Sequence, residues 1–469
     1  MVQVQSRDLP SGYNRMTMTT SASPAESDAS GVSLYRALWR WHFFAGLLAI
    51  PFMLNLAITG GLYLFKDEIN DTFFAHRYQV EAAGSALSPD RIVEIAASAV
   101  PGSVARSYKD PASETRSAIV TVSSKAGSTL VFINPYNGNV LDTVVAADEF
   151  NQVVRSIHSL AYFGNFPNIL TEIAGGFAMV LVATGIYLWW PRRQTGGVVT
   201  VRGTPSRRVF WRDMHAVTGA FAGLLIFFLA ATGMFWSNYW GSNVQSWLTE
   251  KGLGYPAELW DNVPVSKTVT GDVAAHSGWS VEKAPVPVSG AMTSEPIGLE
   301  KAVAIAKNLG MSSGFDTAIP RTETGVYTAS IFPDDLSKER TIHIDQYSGT
   351  PLVDMGYPLY PTPGKAVAWG VNVHMGQEWG RFNQILMLAT CLAIVFTCVT
   401  AIVMWWKRRP SGRLGVPPMP PSRSVYIGLW LITLVFAIAF PMSGIAIIAM
   451  VAFDQIVVRF VPPLKRAFA

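Results

Sequence analysis

Four stretches of about twenty apolar residues punctuate the chain, at Trp41–Phe65, Ile169–Trp190, Ala216–Trp240 and Ile385–Trp406. As helices they are long enough to cross roughly 30 Å of hydrocarbon. A fifth apolar run, Val425–Phe453, is longer than one crossing and is interrupted by Pro441, Ser443 and Gly444. It reads as one kinked helix, with a re-entrant or split pair as the alternative. Between the runs the period changes. "SPDRIVEIAASAV" and "GLEKAVAIAKNLG" have the spacing of amphipathic helices. "SAIVTVS", "TLVFINPYNGNVLD", "GVYTASIF" and "RTIHIDQYSGTPLVD" read as strands bounded by turns. The pattern predicts a membrane α-helical bundle of about five spans with two small α+β domains outside it.

Composition agrees: 50% of residues are hydrophobic and only 14% charged, which argues against a single soluble domain. Residues 1–33 are polar, carry no apolar leader and read as a disordered cytoplasmic tail. Arginines set the orientation. Arg192, Arg193, Arg202, Arg207, Arg208 and Arg212 crowd one short loop, and Lys407, Arg408, Arg409, Arg413 and Arg423 crowd another. Both loops therefore face the cytoplasm, as does the N-terminus. The implied order is span 1 (34–66), a first external segment (67–157), span 2 (158–193), a cytoplasmic loop (194–209) and span 3 (210–240). A second external segment (241–373), span 4 (374–409), a Pro-rich linker (410–423) and a kinked span 5 with its tail (424–469) follow. In a bacterium this is a multi-pass inner-membrane protein with both external segments periplasmic. The net charge of +4 is accounted for by topology and gives no reason to invoke nucleic acid.

The chain is written twice. His42 is followed by Gly46 and by Thr59-Gly60; His215 is followed at the same spacings by Gly219 and Thr232-Gly233. "GNFPNIL" at 164–170 answers "GRFNQIL" at 380–386, each six residues after a histidine, His158 and His374. Both of these spans end in Trp-Trp with Arg-Arg two residues on, at 189–193 and 405–409. The turn Tyr136-Asn137-Gly138 answers Tyr347-Ser348-Gly349. The repeat unit is helix, small α+β domain, helix.

These features together, the WH-x3-G start with its later Thr-Gly, the αββ segments ending in Tyr-x-Gly turns and the WWxRR exits, resemble the PepSY-associated transmembrane family. The resemblance covers the chain from about Leu34 onward. That family includes iron-regulated inner-membrane proteins and haem-containing ferric-siderophore reductases. The resemblance implies PepSY-like external domains, a di-haem electron-transfer protein and a ferric siderophore as acceptor, the hydroxamate type being one candidate.

The histidines can be weighed independently. His42 and His215 sit at the cytoplasmic ends of two spans running outward; His158 and His374 sit at the outer ends of two running inward. Packed about a pseudo-twofold axis, each pair can face across a slot. Opposed imidazoles suit a six-coordinate b-type haem, so two b-type haems are expected with these four residues as axial ligands. Gly46 and Gly219, one turn beyond the inner histidines, can make room for a macrocycle or serve close helix packing. Gly164 and Gly380 are the outer counterparts. Arg40, Arg212, Arg155 and Arg381 are candidate propionate partners. His76, His276 and His343 read as structural or surface residues, and Glu172 as a solvated residue at the outer interface. Cys391 and Cys398 are seven apart on one helix, about 10 Å, too far for a disulfide. No CxxCH occurs for covalent haem attachment, and no HExxH for a hydrolytic metal.

The cytoplasmic loops are too short for a nicotinamide or flavin domain, so electrons must come from membrane quinol or a docked cytosolic reductase. The expected function is reduction of periplasmic ferric siderophore to release Fe(II). A siderophore permease component and a non-catalytic regulator binding a periplasmic partner are the alternatives.

Overall fold

The computed structural model of the protein describes residues 24–192, 196–274, 277–290, 295–417, 423–458 and 460–468. Residues 1–23, Arg193, His276 and residues 418–422 of the expected linker lie outside the described residues. The first repeat comprises α1 (Pro24–Tyr63), α2 (Pro89–Ala99), β1 (Val104–Lys109), β2 (Ala118–Ser124), β3 (Gly127–Ile133), β4 (Val140–Val145), α3 (Phe150–His158) and α4 (Asn165–Trp189). The second begins with α5 (Arg208–Gly233), α6 (Trp240–Glu250), β5 (Val265–Val269) and β6 (Pro285–Pro287). It continues with α7 (Leu299–Asn308), β7 (Asp316–Ala318), β8 (Val326–Ile331), β9 (Arg340–Asp345), β10 (Pro351–Gly356), α8 (Thr362–His374) and α9 (Arg381–Arg408). Two helices, α10 (Arg423–Ala439) and α11 (Pro441–Ala452), form the last apolar pair; a π-helical segment, Phe453–Val458, extends α11, and a short helix, Pro462–Phe468, follows. Among the described residues five helices are long and apolar enough to cross a membrane. The first begins at Pro24, so the described end of the expected tail is helix continuous with span 1.

The two α+β segments are not separate domains. Their strands form one eight-stranded antiparallel sheet in the order β10-β9-β8-β7-β1-β2-β3-β4. The halves join where β1 meets β7, with Tyr108 opposite Thr317 and Lys109 opposite Asp316. Each half alone would expose an edge strand there, and pairing removes both edges. Helices α2 and α7 pack side by side on one face; Ile92, Ala96, Ala302 and Ala306 are fully buried against Val120, Val131, Ile342 and Ile344. The repeat extends to side chains. Tyr136 and Tyr347 donate their hydroxyls to the carbonyls of Glu114 and Glu323, at 2.7 and 2.8 Å.

The last apolar run turns back on itself. A continuous helix is blocked at Pro441, which lacks an N–H, and Phe440 before it leaves the helical region at φ −133°, ψ 79°. A Cβ on Gly444 would collide with the backbone and side chain of Ala437, so α10 and α11 cross closely. Leu429 of α10 and Met450 and Val451 of α11 all belong to the cluster around Ala37, Trp41 and Phe44 of α1. The pair is thus a helical hairpin, the split alternative, and the single kinked span is corrected. Its non-helical bend is satisfied from within the protein: Trp240 Nε1 donates to the Ala439 carbonyl at 2.7 Å, as broken backbone at membrane depth requires.

Candidate functional site

Helices α1, α4, α5 and α9 carry the four paired histidines or follow them directly. His42 on α1 and His215 on α5 face each other with ring centres 6.3 Å apart and planes at 86°. At the other end of the bundle, α3 and α8 end at His158 and His374, which are electrostatic neighbours. Each is followed by a bend into the next span, and the bends end at Gly164 (φ 109°) and Gly380 (φ 59°). Positive φ explains these two glycines.

One hydrogen-bond arrangement occurs four times. His42 Nδ1 is 2.9 Å from Thr184 Oγ1, His158 Nδ1 is 2.9 Å from Thr59 Oγ1, and His374 Nδ1 is 2.8 Å from Thr232 Oγ1. His215 Nδ1 is 3.2 Å from Thr400 Oγ1 and 3.0 Å from the carbonyl of Thr397. Each threonine hydroxyl also donates to the carbonyl one turn back on its own helix, those of Val180, Asn55, Phe228 and Phe396. A hydroxyl has one proton, so its oxygen must accept from the ring. In the neutral imidazole this puts hydrogen on Nδ1 and the lone pair on Nε2 at all four positions. That is the tautomer of a metal ligand whose far nitrogen is held by an outer hydrogen bond. At His215 the Thr397 carbonyl, which can only accept, fixes the same tautomer independently.

Glycines seat the rings. A Cβ on Gly60 would lie 3.3 Å from His158 Cε1, one on Gly185 3.3 Å from His42 Cε1, and one on Gly233 3.4 Å from His374 Cε1. Each follows its layer's threonine, and the fourth pair is Thr400-Ala401. A Cβ on Gly46 would lie 3.7 Å from Leu181, and one on Gly219 would meet nothing within 4 Å. Trp236 packs edge-on to His374 with centres 5.8 Å apart.

The spacing of the inner pair tests its fitness as a metal centre. With metal–imidazole bonds of about 2 Å, two trans ligands place ring centres about 6 Å apart. The 6.3 Å separation of the ring centres is the spacing that one metal ion held between two imidazoles would need. Among the described residues no three His, Cys, Asp or Glu side chains gather as a metal cluster, so each histidine pair offers two imidazoles and no third side-chain ligand of these types.

The arginines are placed differently from their expected role. Arg40 is buried and gives its guanidinium to Asp454, with Nε 2.7 Å from Oδ2, and to the carbonyl of Pro417. It is engaged as an anchor of the C-terminal hairpin. Arg212 bonds Asp213 at 2.6 Å, together with Arg202 at 2.8 Å. Arg381 pairs with Glu68 and bonds Gln384 at 2.7 Å. Arg155 is exposed and has Glu282 as an electrostatic neighbour. Three of the four already hold a carboxylate.

Glu172 is corrected from a solvated residue to a buried one, 2% exposed. Its Oε2 accepts the backbone N–H groups of Tyr239 and Trp240 at 3.1 and 3.2 Å, tying α4 to the start of α6. His76 lies on the surface, 3.5 Å from Asp142. His343 is buried between Thr328 and Thr270, and burial pushes it down to about 3. Cys391 and Cys398 are free and buried in the apolar contact between α1, α5 and α9.

Sequence reading finds the histidines but misses their threonines as partners. A usable signal is present: His158 to Thr184 and His374 to Thr400 are each 26 residues, beside the 17 of the other two spans.

No curated protein matches the chain. A family model described as the PepSY-associated TM region matches residues 39–408, the two repeats without the C-terminal hairpin. With that match covering most of its length and both repeats, the chain belongs to the family of the PepSY-associated TM region.

Proposed function

We propose that the protein is an inner-membrane di-haem electron-transfer protein that reduces ferric siderophore on the periplasmic side, releasing Fe(II). The observation that carries the reading is the fourfold Thr–His arrangement, which leaves every Nε2 with a lone pair to offer at two levels of one bundle. Thr59 belongs to the outer level and His42 to the inner one, so the 17 residues of α1 between them separate the levels by about 26 Å. Two imidazoles are a poor complete set for a bare ion, whereas a haem would bring the remaining ligands itself. Haem, when bound, supplies reversible one-electron chemistry at iron.

The chain does the rest. His42 with His215, and His158 with His374, would hold the two haems through their Nε2 atoms. Threonines keep Nδ1–H directed into their own helices and so fix ring orientation. The ferric siderophore would take up its electron near the outer pair. Arginine-rich loops at the His42/His215 end support a cytoplasmic placement for it, with the sheet domain periplasmic. Electrons come from membrane quinol or a cytosolic reductase. Protein reduced with dithionite and mixed anaerobically with a ferric hydroxamate siderophore reoxidises while a ferrous chelator traps Fe(II). Reduced protein that persists with excess ferric siderophore excludes this oxidant.

A further inference from the structure

The sheet domain contains a cleft that the redox reading does not use. Its volume is about 180 Å³, and it opens between β1–β3 and the short helix Thr270–Val273. Arg106, Arg321, Ser107, Thr121, Ser128 and Asp272 line it. Arg106 is the extra residue of a β-bulge: Ala105 pairs with Val122 and Ser107 with Thr121, leaving nothing opposite Arg106. Its carbonyl is still used, accepting from Ile319 N at 2.9 Å across the seam between the repeats. Bulges of this kind re-aim a side chain while the strand stays paired.

Two guanidiniums thus share one small concavity. Neither forms an ion pair with a carboxylate among the described residues, although most other arginines of the sheet domain do, such as Arg77, Arg91, Arg116 and Arg340. Partial desolvation in the cleft, and then the charge of Arg106, hold Arg321 below its ordinary pKa. Like charges left facing are relieved by an anion with a planar, two-oxygen face. Asp272 on the rim limits the charge: two arginines and one carboxylate give the described lining residues a single net positive charge, which matches one carboxylate better than a phosphate dianion. The three hydroxyls offer donors and acceptors to a hydroxyl beside that carboxylate.

We propose that this cleft is a binding site for a small hydroxycarboxylate, its carboxylate held between Arg106 and Arg321 and its hydroxyl by Ser107, Thr121 or Ser128. The site stands apart from the histidine layers and does not depend on them.

The test uses full-length protein in detergent at low ionic strength, with lactate, gluconate and inorganic phosphate as probes in ligand-observed NMR titrations. Wild type is compared with Arg106→Ala, Arg321→Ala and Arg91→Ala, the last removing an exposed arginine of the same domain. Arg321 is exposed, so its variant keeps the fold even where Arg106→Ala disturbs the bulge. The expected result is saturable binding of lactate or gluconate, weakened about tenfold or more by Arg321→Ala and Arg106→Ala and unchanged by Arg91→Ala. No saturable binding of either hydroxycarboxylate overturns the proposal, as does binding indifferent to Arg321→Ala. Tighter binding of phosphate than of both overturns the ligand class.

Discussion

Thr184 Oγ1 lies 2.9 Å from His42 Nδ1 and gives its own proton to the carbonyl of Val180, 2.7 Å away on the same helix. The hydroxyl is therefore an acceptor toward the ring, and the same holds for Thr59, Thr232 and Thr400. Thr184→Val keeps the shape and removes the acceptor. It is expected to weaken cofactor retention at the inner layer by roughly 10- to 100-fold, with the outer layer unchanged. Thr184→Ser restores it. Optical titration of apoprotein with haemin measures this, and equal retention in all three proteins would show that the threonine does not hold the ligand in place.

The buried Arg40–Asp454 pair holds the C-terminal hairpin to α1. Asp454→Ala strands a buried guanidinium and is expected to cost about 3–5 kcal/mol, whereas Arg40→Met with Asp454→Leu is expected to cost far less. Thermal unfolding of the three proteins in detergent distinguishes them. Similar losses in single and double variants would mean that the charge pair itself supplies the anchoring.

The hairpin also fixes a topology. Leu414 N donates to Ala467 O at 2.7 Å, so the two ends of the last apolar run lie together. In a background with Cys391 and Cys398 replaced by alanine, single cysteines at Gly412, Ala467 and Gly196 are expected to share one labelling pattern with an impermeant thiol reagent. One at Ser128 is expected to show the opposite. Labelling of position 467 from the Ser128 side would restore a single crossing.

Much of this architecture is legible in the sequence because it is periodic. The apolar runs, the amphipathic helices α2 and α7 and the strands β2, β3, β8 and β9 announce themselves locally. Sequence reading passes over β1, "VARSYK", and β7, "DTA", and these are the strands that join the repeats. Their strand character comes from pairing with each other across about 200 residues of chain, which no local period records. The hairpin is ambiguous for a similar reason: Pro441 announces a break, but the direction of the exit depends on α1 and Trp240. The arginines attract attention by nearness in sequence to the histidines, yet Asp454, which claims Arg40, lies 414 residues away.

Glu339 supplies a pH prediction outside the membrane. It is 2% exposed, accepts the Tyr360 hydroxyl at 2.8 Å, and burial pushes it up to about 7 from an ordinary value of 4.5. The folded state thus binds more protons than the unfolded state between those values. Its contribution to stability is fully present below the unfolded value and is lost as pH rises through the folded one. The loss amounts to roughly 3 kcal/mol. Glu339→Gln mimics the protonated acid, so its stability relative to wild type is expected to rise across that window. Parallel pH–stability curves for the two proteins would exclude a raised Glu339.

The most direct test counts haem. Wild-type protein expressed with ample haem is assayed by pyridine haemochrome beside His42→Ala, His215→Ala, His158→Ala and His374→Ala. Two haems per chain are expected in wild type and one in each variant. The His42 and His215 variants should share one residual spectrum, and the His158 and His374 variants the other. Wild type without haem, or full occupancy in a variant of either pair, would contradict the relay.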